Sequence, residues 1–285
     1  MKKYGLIGAA LLFVLSLSSC SSMMRLKEFD INGEIVNRRY FDAYLKDYSE
    51  FYKDETSEIK NKWYSLNYKE INFVEEDEYI SETEETIKGS LYCSKFEFEN
   101  KIKLNIKRKE TMEGIDPSTS KEVDTEITHN YDIVYLKGVT YVKHTIKEEI
   151  ETGHSETIDY FRKTSYNFNE VLRNYVGISI DGIVSNLADI ALDPTVNLEG
   201  YNLYALDDGL AYSYEDYNDY NDYISKLSFE TMNDSYQPKK IKKYNYLKGR
   251  YYTDSKDVYR ENESLLVIKT KLFGRVSKPS NLSKY

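Results

Sequence analysis

Histidine is scarce in this sequence: His129, His144 and His154 are the only three. They form no close-spaced ligand motif and no H-E-x-x-H occurs, so the spacing predicts no metal centre. His144 and Glu148 stand four apart, but on a strand-like stretch where that spacing does not converge, and solvent-facing histidines are expected. Cysteine is scarcer still, at Cys20 and Cys93 alone. Cys93 reads as a small core hydrophobe. The P-loop, the dinucleotide glycine fingerprint and the G-x-S-x-G elbow are all missing. Many carboxylates are present, but nothing selects a Glu/Asp acid–base pair among them. A non-enzymatic protein without a cofactor or metal is therefore expected. Basic charge is in deficit, with 39 Lys and Arg against 48 Asp and Glu and a net charge of −9. Phosphate binding runs on clustered positive charge, so no nucleic-acid partner is expected.

Long apolar runs are missing too, except at the start. Lys2 and Lys3 precede an apolar run from Tyr4 to Leu17. It falls short of the roughly 20 residues a hydrocarbon core requires and has the length and flanks of a signal-peptide h-region. The run ends in Leu17-Ser18-Ser19-Cys20, which resembles the lipobox of bacterial lipoprotein precursors. The resemblance implies cleavage before Cys20 and a diacylglyceryl group on that residue. It also implies a protein held on the extracytoplasmic face of the cell membrane. Each buried methylene contributes about 0.8 kcal/mol, so two acyl chains hold where one is marginal. Cleavage removes Lys2 and Lys3 and nothing acidic, leaving the mature chain near −11. With Cys20 acylated, Cys93 has no disulfide partner, and stability must come from the core. Residues 20–39 read as a tether, at most about 70 Å long when extended. Residues 40–285 read as one domain.

Periodicity outlines that domain. Phe41, Leu45, Tyr48, Tyr52, Ile59, Trp63 and Leu66 fall at helical steps and predict an amphipathic helix over 41–66. From about Ile71 to Lys163 the period changes to two. The clearest stretch sets Phe96, Phe98, Ile102, Leu104 and Ile106 against Lys95, Glu97, Glu99, Lys101, Lys103 and Lys107, the pattern of a sheet with one dry and one wet face. Lys137-Gly138 marks a short hairpin, and residues 114–120 a polar loop. Asn167 with Glu170 three residues later signals a helix N-terminus. The apolar helical block runs to about Leu192, with a break at Gly177 and a fresh start at Asp181. Further strands flank Asp207-Asp208-Gly209, predicted as a three-residue loop with its glycine left-handed, and a turn at 233–238. A last strand runs over Leu265–Val276. Helix, strands, helices and strands in that order, without βαβ alternation, predict an α+β fold: a large curved antiparallel sheet, a half-barrel, with an N-terminal amphipathic helix and a central helical insert.

Three surface features carry alternatives. The 29 tyrosines form either a sticky aromatic surface or general half-buried packing. The segment 214–223 repeats Tyr every third residue. Asp216, Asp219 and Asp222 there could hold Ca²⁺, but no EF-hand spacing is present and a solvated loop is the expectation. Lys239, Lys240, Lys242 and Lys243, with Lys248 and Arg250 nearby, either rest on anionic headgroups or protect an edge strand from aggregation.

The lipobox at Cys20, the leading helix Phe41–Leu66, the long alternating strands, the insert Phe168–Leu192 and the late turn Gln237-Pro238-Lys239-Lys240-Ile241 together resemble the LolA/LprG/LppX-type lipoprotein carriers. That resemblance implies an apolar cavity between sheet and helices that takes acyl chains. Phe96, Phe98, Ile102, Leu104, Ile106, Leu172, Ile183, Val184, Leu187 and Ile190 are then its expected walls. On this reading the partners are the membrane, through diacylglyceryl-Cys20, and a lipid or other apolar small molecule. The alternative is a cell-surface protein-interaction or adhesion lipoprotein with no ligand cavity.

Overall fold

The computed structural model describes residues 29–53, 61–94, 96–116, 118–150, 154–176, 200–217, 221–232, 238–250 and 257–285. Twelve strands form one antiparallel sheet, in the order β1-β8-β9-β10-β11-β12-β2-β3-β4-β5-β6-β7. The strands are β1 (Glu34–Ile35), β2 (Lys62–Glu76), β3 (Tyr79–Cys93), β4 (Lys101–Asp116), β5 (Lys121–Leu136), β6 (Val139–Ile150), β7 (His154–Thr164), β8 (Tyr201–Leu206), β9 (Gly209–Tyr217), β10 (Asn221–Thr231), β11 (Pro238–Arg250) and β12 (Asp257–Lys271). Among the described residues only two α-helices accompany them, α1 (Arg38–Lys53) and α2 (Phe168–Val176). The expected α+β class is therefore corrected: the described residues form a predominantly β structure, one large sheet with two short helices laid on it. Two meanders, β2–β7 and β8–β12, are zipped together by β12 pairing with β2, from Val258↔Glu76 to Lys271↔Trp63.

Cross-strand partners share a face, so the register divides the side chains. One row on the helix-bearing face reads Leu210, Phe229, Ile241, Leu266, Tyr68, Ile87, Ile106, Tyr131 and His144. Phe41 and Leu45 of α1, and Phe168, Val171, Leu172 and Val176 of α2, join the buried cluster formed by this row and the adjoining Leu66, Leu104, Ile133 and Val142. The i, i+4 and i, i+3 spacing of those residues puts each helix's apolar stripe on the sheet. Asn37 accepts from the Tyr40 N–H at the start of α1. At the start of α2 the Asn167 N–H donates to Glu170 Oε2 at 2.7 Å and the Glu170 N–H donates to Asn167 Oδ1 at 2.9 Å, the capping box its sequence signals. The outer face carries ion pairs such as Lys69–Glu84 and Lys109–Glu126 and a smaller apolar cluster in which Ile224 and Tyr244 pack with Phe29, Ile71, Phe73 and Tyr246.

Several expected boundaries move. The first helix ends at Lys53, and Trp63 and Leu66 lie on β2. A three-residue step keeps two side chains together on a helix but sends them to opposite faces of a strand. Leu66 is buried inside while Trp63 packs against Tyr92 on the outer face. Phe96 and Phe98 precede β4 around a one-turn 3-10 helix, Glu97–Glu99, and stand 59% and 66% exposed. The alternation that joined them to Ile102 crosses a loop. Order begins before Tyr40, since β1 pairs with β8 and α1 starts at Arg38. The loop at 114–120 is shorter than expected, because Gly114–Asp116 complete β4. Of the helical block 167–192, residues 168–176 form α2; residues 177–199 lie outside the described residues.

The two hairpin turns contrast. Lys137 and Gly138 have φ of 54° and 75°, the pair of positive angles that a two-residue type I′ turn requires. The other loop is also two residues, Asp207-Asp208, with Gly209 already paired to Leu206. Gly209 serves close approach instead of a left-handed turn, because a Cβ there would lie 2.0 Å from the Phe229 carbonyl oxygen.

β11 is an interior strand between β10 and β12, so its lysines do not protect an edge. Alternation also splits the basic patch. Lys243 pairs with Ser264 on the helix-bearing face, whereas Lys240, Lys242 and Lys248 lie outside. Lys240 donates to Glu230 at 2.8 Å, and the Lys242 ammonium sits 5.1 Å from the Phe29 ring. Asp216 and Asp222 lie on the paired ends of β9 and β10, where Asp216 faces Tyr223 and Asp222 faces Tyr217. They point to opposite faces of the sheet, so the expected solvated loop is mostly strand and these two carboxylates cannot share a cation. Asp219 lies outside the described residues.

Candidate functional site

Two residues along each strand from the apolar row, the helix-bearing face changes character. Glu70 of β2 stands opposite Glu85 of β3, Glu85 opposite Arg108 of β4, and Arg108 opposite His129 of β5. Tyr68, Tyr131 and His144 border this ladder on the apolar side; Asn72 and Glu110 border it on the other. Backbone pairing places the ladder, and the period of two puts every member on the face that carries the helices.

Hydrogen bonds tie the belt together. The Tyr68 hydroxyl donates to Glu70 Oε2 at 2.9 Å, and Asn262 Nδ2 donates to Glu70 Oε1 at 2.9 Å. Arg108 Nε lies 2.7 Å from Glu110 Oε1. His129 Nδ1 and His144 Nε2 are 3.0 Å apart, so one ring donates to the other. The His144 ring stacks on Tyr131 with centroids 4.0 Å apart, and Tyr175 of α2 leans on Tyr131 at 6.3 Å. Both histidines are half-buried, and the expectation that they face solvent is corrected.

The belt also concentrates groups pushed toward their neutral forms. Burial raises the Glu85 carboxyl above its ordinary range; the facing Glu70 adds to this, and Arg108 opposes it. Burial, then the Glu70 charge, raises the Tyr68 hydroxyl. Burial lowers His144, and His129 lowers it further. Tyr131 and Tyr175 are raised, again chiefly by burial. Like charges set directly opposite on neighbouring strands are destabilising, and perturbed titratable groups gather at functional sites.

The expected cavity walls separate into three groups. Ile102, Leu104, Ile106 and Leu172 are brought together, but as sealed core, exposed by 4% or less. Phe96 and Phe98 are away from them on the β3–β4 loop. Ile183, Val184, Leu187 and Ile190 lie outside the described residues. Two cavities of about 320 and 340 Å³ open on the other side of the sheet, beside residues 29–32. Asn202, Ser213, Glu215 and Lys226 line one, and Asp207, Glu230, Lys240 and Lys242 the other. Their linings are polar, unlike an acyl-chain pocket. Sequence reasoning missed the Glu70–Glu85–Arg108–His129 ladder, since its members come from four strands and share no local motif.

No family model matches the chain, and no curated protein matches it in sequence. Among solved structures, a lipovitellin structure titled for lipid–protein interactions is similar with a TM-score of 0.35 and 12% identity, covering 78% of this chain and 27% of that one. The β domain of the Bordetella autotransporter Brka is similar with a TM-score of 0.23 and 6% identity, covering 72% and 98%. The translocator domain of the autotransporter NalP from Neisseria meningitidis is similar with a TM-score of 0.19 and 5% identity, covering 80% and 95%. The chain thus spans about a quarter of the lipovitellin chain's length. At these TM-scores the likenesses assign neither a fold nor a function.

Proposed function

We propose that this chain is an acyl-anchored extracytoplasmic lipoprotein that binds an amphiphile on the helix-bearing face of its sheet. The anchor rests on the order of Lys2, Lys3, the apolar run to Leu17 and the lipobox at Cys20. The ligand class rests on a single observation. One sheet face passes within two residues from buried Leu266, Ile87 and Ile106 to half-buried Glu70, Glu85 and His129 and exposed Arg108. A wholly apolar ligand laid over the ladder would take its charged groups out of water with nothing in the ligand to replace that hydration. A molecule with an apolar tail and a polar head satisfies both zones. The sealed packing of Ile102, Leu104, Ile106 and Leu172 argues against a tail between those residues, so the proposed contact is at the border between the zones. No proton transfer or bond cleavage is assigned to the belt, and binding without catalysis is the reading proposed.

The test uses the chain from residue 20 with Cys20→Ser, which contains every described element, purified without detergent. Native mass spectrometry is expected to show an adduct of lipid mass, or stoichiometric uptake of an added lysophospholipid. Glu85→Ala together with Arg108→Ala is expected to weaken that uptake at least tenfold. A clean apo mass with no uptake would overturn the reading.

A further inference from the structure

Four bulky apolar side chains stand in solvent at one end of the sheet. Phe96 and Phe98, on the β3–β4 loop, are 59% and 66% exposed; Leu272 and Phe273, just after β12, are 98% and 82% exposed. The register brings the two loops together, because Lys271 pairs with Trp63, Trp63 with Tyr92, and Tyr92 with Lys101. They therefore leave the sheet about two strand spacings, roughly 10 Å, apart. Other exposed apolar residues, such as Ile115 and Tyr217, lie at the opposite end of their strands.

The β3–β4 loop is braced in this shape. The Ser94 N–H donates to Asn100 Oδ1 at 2.7 Å, the Ser94 hydroxyl donates to Glu99 at 2.9 Å, and the Phe96 N–H donates to the Ser94 hydroxyl at 3.2 Å. The two phenyl rings stack outside it with centroids 5.9 Å apart. Trp63, the chain's one tryptophan, lies beside Tyr92 at 5.1 Å, and the Lys101 ammonium sits over both rings. Charge beside these two loops is reversed against the protein's net −9. Lys62, Lys101, Lys103, Lys269 and Lys271 lie on the strand ends that carry the loops and Arg275 follows Phe273 by two residues, with Glu97 and Glu99 as the acidic residues of the β3–β4 loop.

We propose that this end of the sheet docks on an anionic bilayer, with Phe96, Phe98, Leu272 and Phe273 entering the headgroup–acyl boundary. Exposed apolar side chains ringed by lysine and aromatic residues are the composition that partitions there. Near-surface cations add electrostatic attraction. Chain length is compatible with this occupant. Phe29 lies against Lys242 of β11, four residues along that strand from its end at Pro238, the same end of the sheet. The nine residues from Cys20 to Phe29 reach at most about 32 Å, enough for an anchor at Cys20 and this tip to meet one membrane. The inference is independent of the amphiphile site.

The chain from residue 20 with Cys20→Ser is mixed with vesicles of phosphatidylcholine and phosphatidylglycerol, and with phosphatidylcholine vesicles alone. Expected are co-sedimentation with the anionic vesicles, at least tenfold weaker binding without phosphatidylglycerol, and quenching of Trp63 fluorescence by brominated lipid. Replacing Phe96, Phe98, Leu272 and Phe273 by Ser should lower the partition coefficient at least tenfold with an unchanged circular dichroism spectrum. Ile115→Ser with Tyr217→Ser, at the far end, should leave it unchanged. Failure of the parent to sediment would overturn the proposal, as would equal binding by the tip variant or loss of self-association as the only effect of that variant. If the tip variant misfolds, Phe98→Ser and Leu272→Ser singly should each lower the partition coefficient at least twofold, and no change in either overturns it.

Discussion

His129 and His144 stand 15 residues apart in the chain yet 3.0 Å apart in space, and their proximity ties stability to pH. His144 is held below its ordinary value of 6.5 by burial and by His129. The unfolded chain therefore binds a proton there at a higher pH than the folded one. Stability is full above about pH 6.5 and falls as pH drops from 6.5 toward the depressed folded value. His144→Gln keeps a polar partner for His129 and removes the titration. Its melting temperature should fall less than the parent's between pH 7.5 and 5.5, read by thermal circular dichroism at matched ionic strength. Equal losses would show that His144 is not under strain.

The pair was within reach of the sequence. A two-residue turn at Lys137-Gly138 sets Leu136 against Val139, and counting outward brings His144 opposite Tyr131, one same-face step from His129. Position relative to a turn, not spacing along the chain, decides which side chains meet in a hairpin.

At the scale of elements, α2 shows how far local chemistry reaches. Its start is readable from Asn167 and Glu170, and the reciprocal bonds are present. Asn167→Ala should lower stability by roughly 1 kcal/mol, measured by urea unfolding; a change within a few tenths would mean that the sheet, not the cap, holds the helix start. The first helix shows the opposite. Trp63 and Leu66 continue its 3.6-residue stripe by coincidence, and pairing with β3 and β12 takes them into a strand. Propensity and period yield there to long-range pairing. Phe96 and Phe98 mislead in the same way, since alternation alone does not reveal that they stand on the loop between β3 and β4.

For the whole molecule, the meanders were legible as strand runs separated by turn residues, and so was their antiparallel sense. The joining of β12 to β2, nearly 200 residues apart in sequence, was not. No turn sets that register; the match of apolar rows across the join does, with Leu266 beside Tyr68 and Ile268 beside Leu66. The Glu70–Glu85–Arg108–His129 ladder is visible only once four strands are aligned. It borders a core to which both helices contribute, so the belt and the apolar zone are continuous on one face.

That joint surface is the central claim, and photocrosslinking tests it most directly. A lysophospholipid carrying a diazirine close to its headgroup would be bound to the Cys20→Ser chain, irradiated and mapped by peptide mass spectrometry. Crosslinks should fall on the peptides holding Glu70, Glu85, Arg108 and His129, at stretches whose side chains face the helices. Labels spread evenly over the outer face, or confined to the two polar cavities beside residues 29–32, would contradict it.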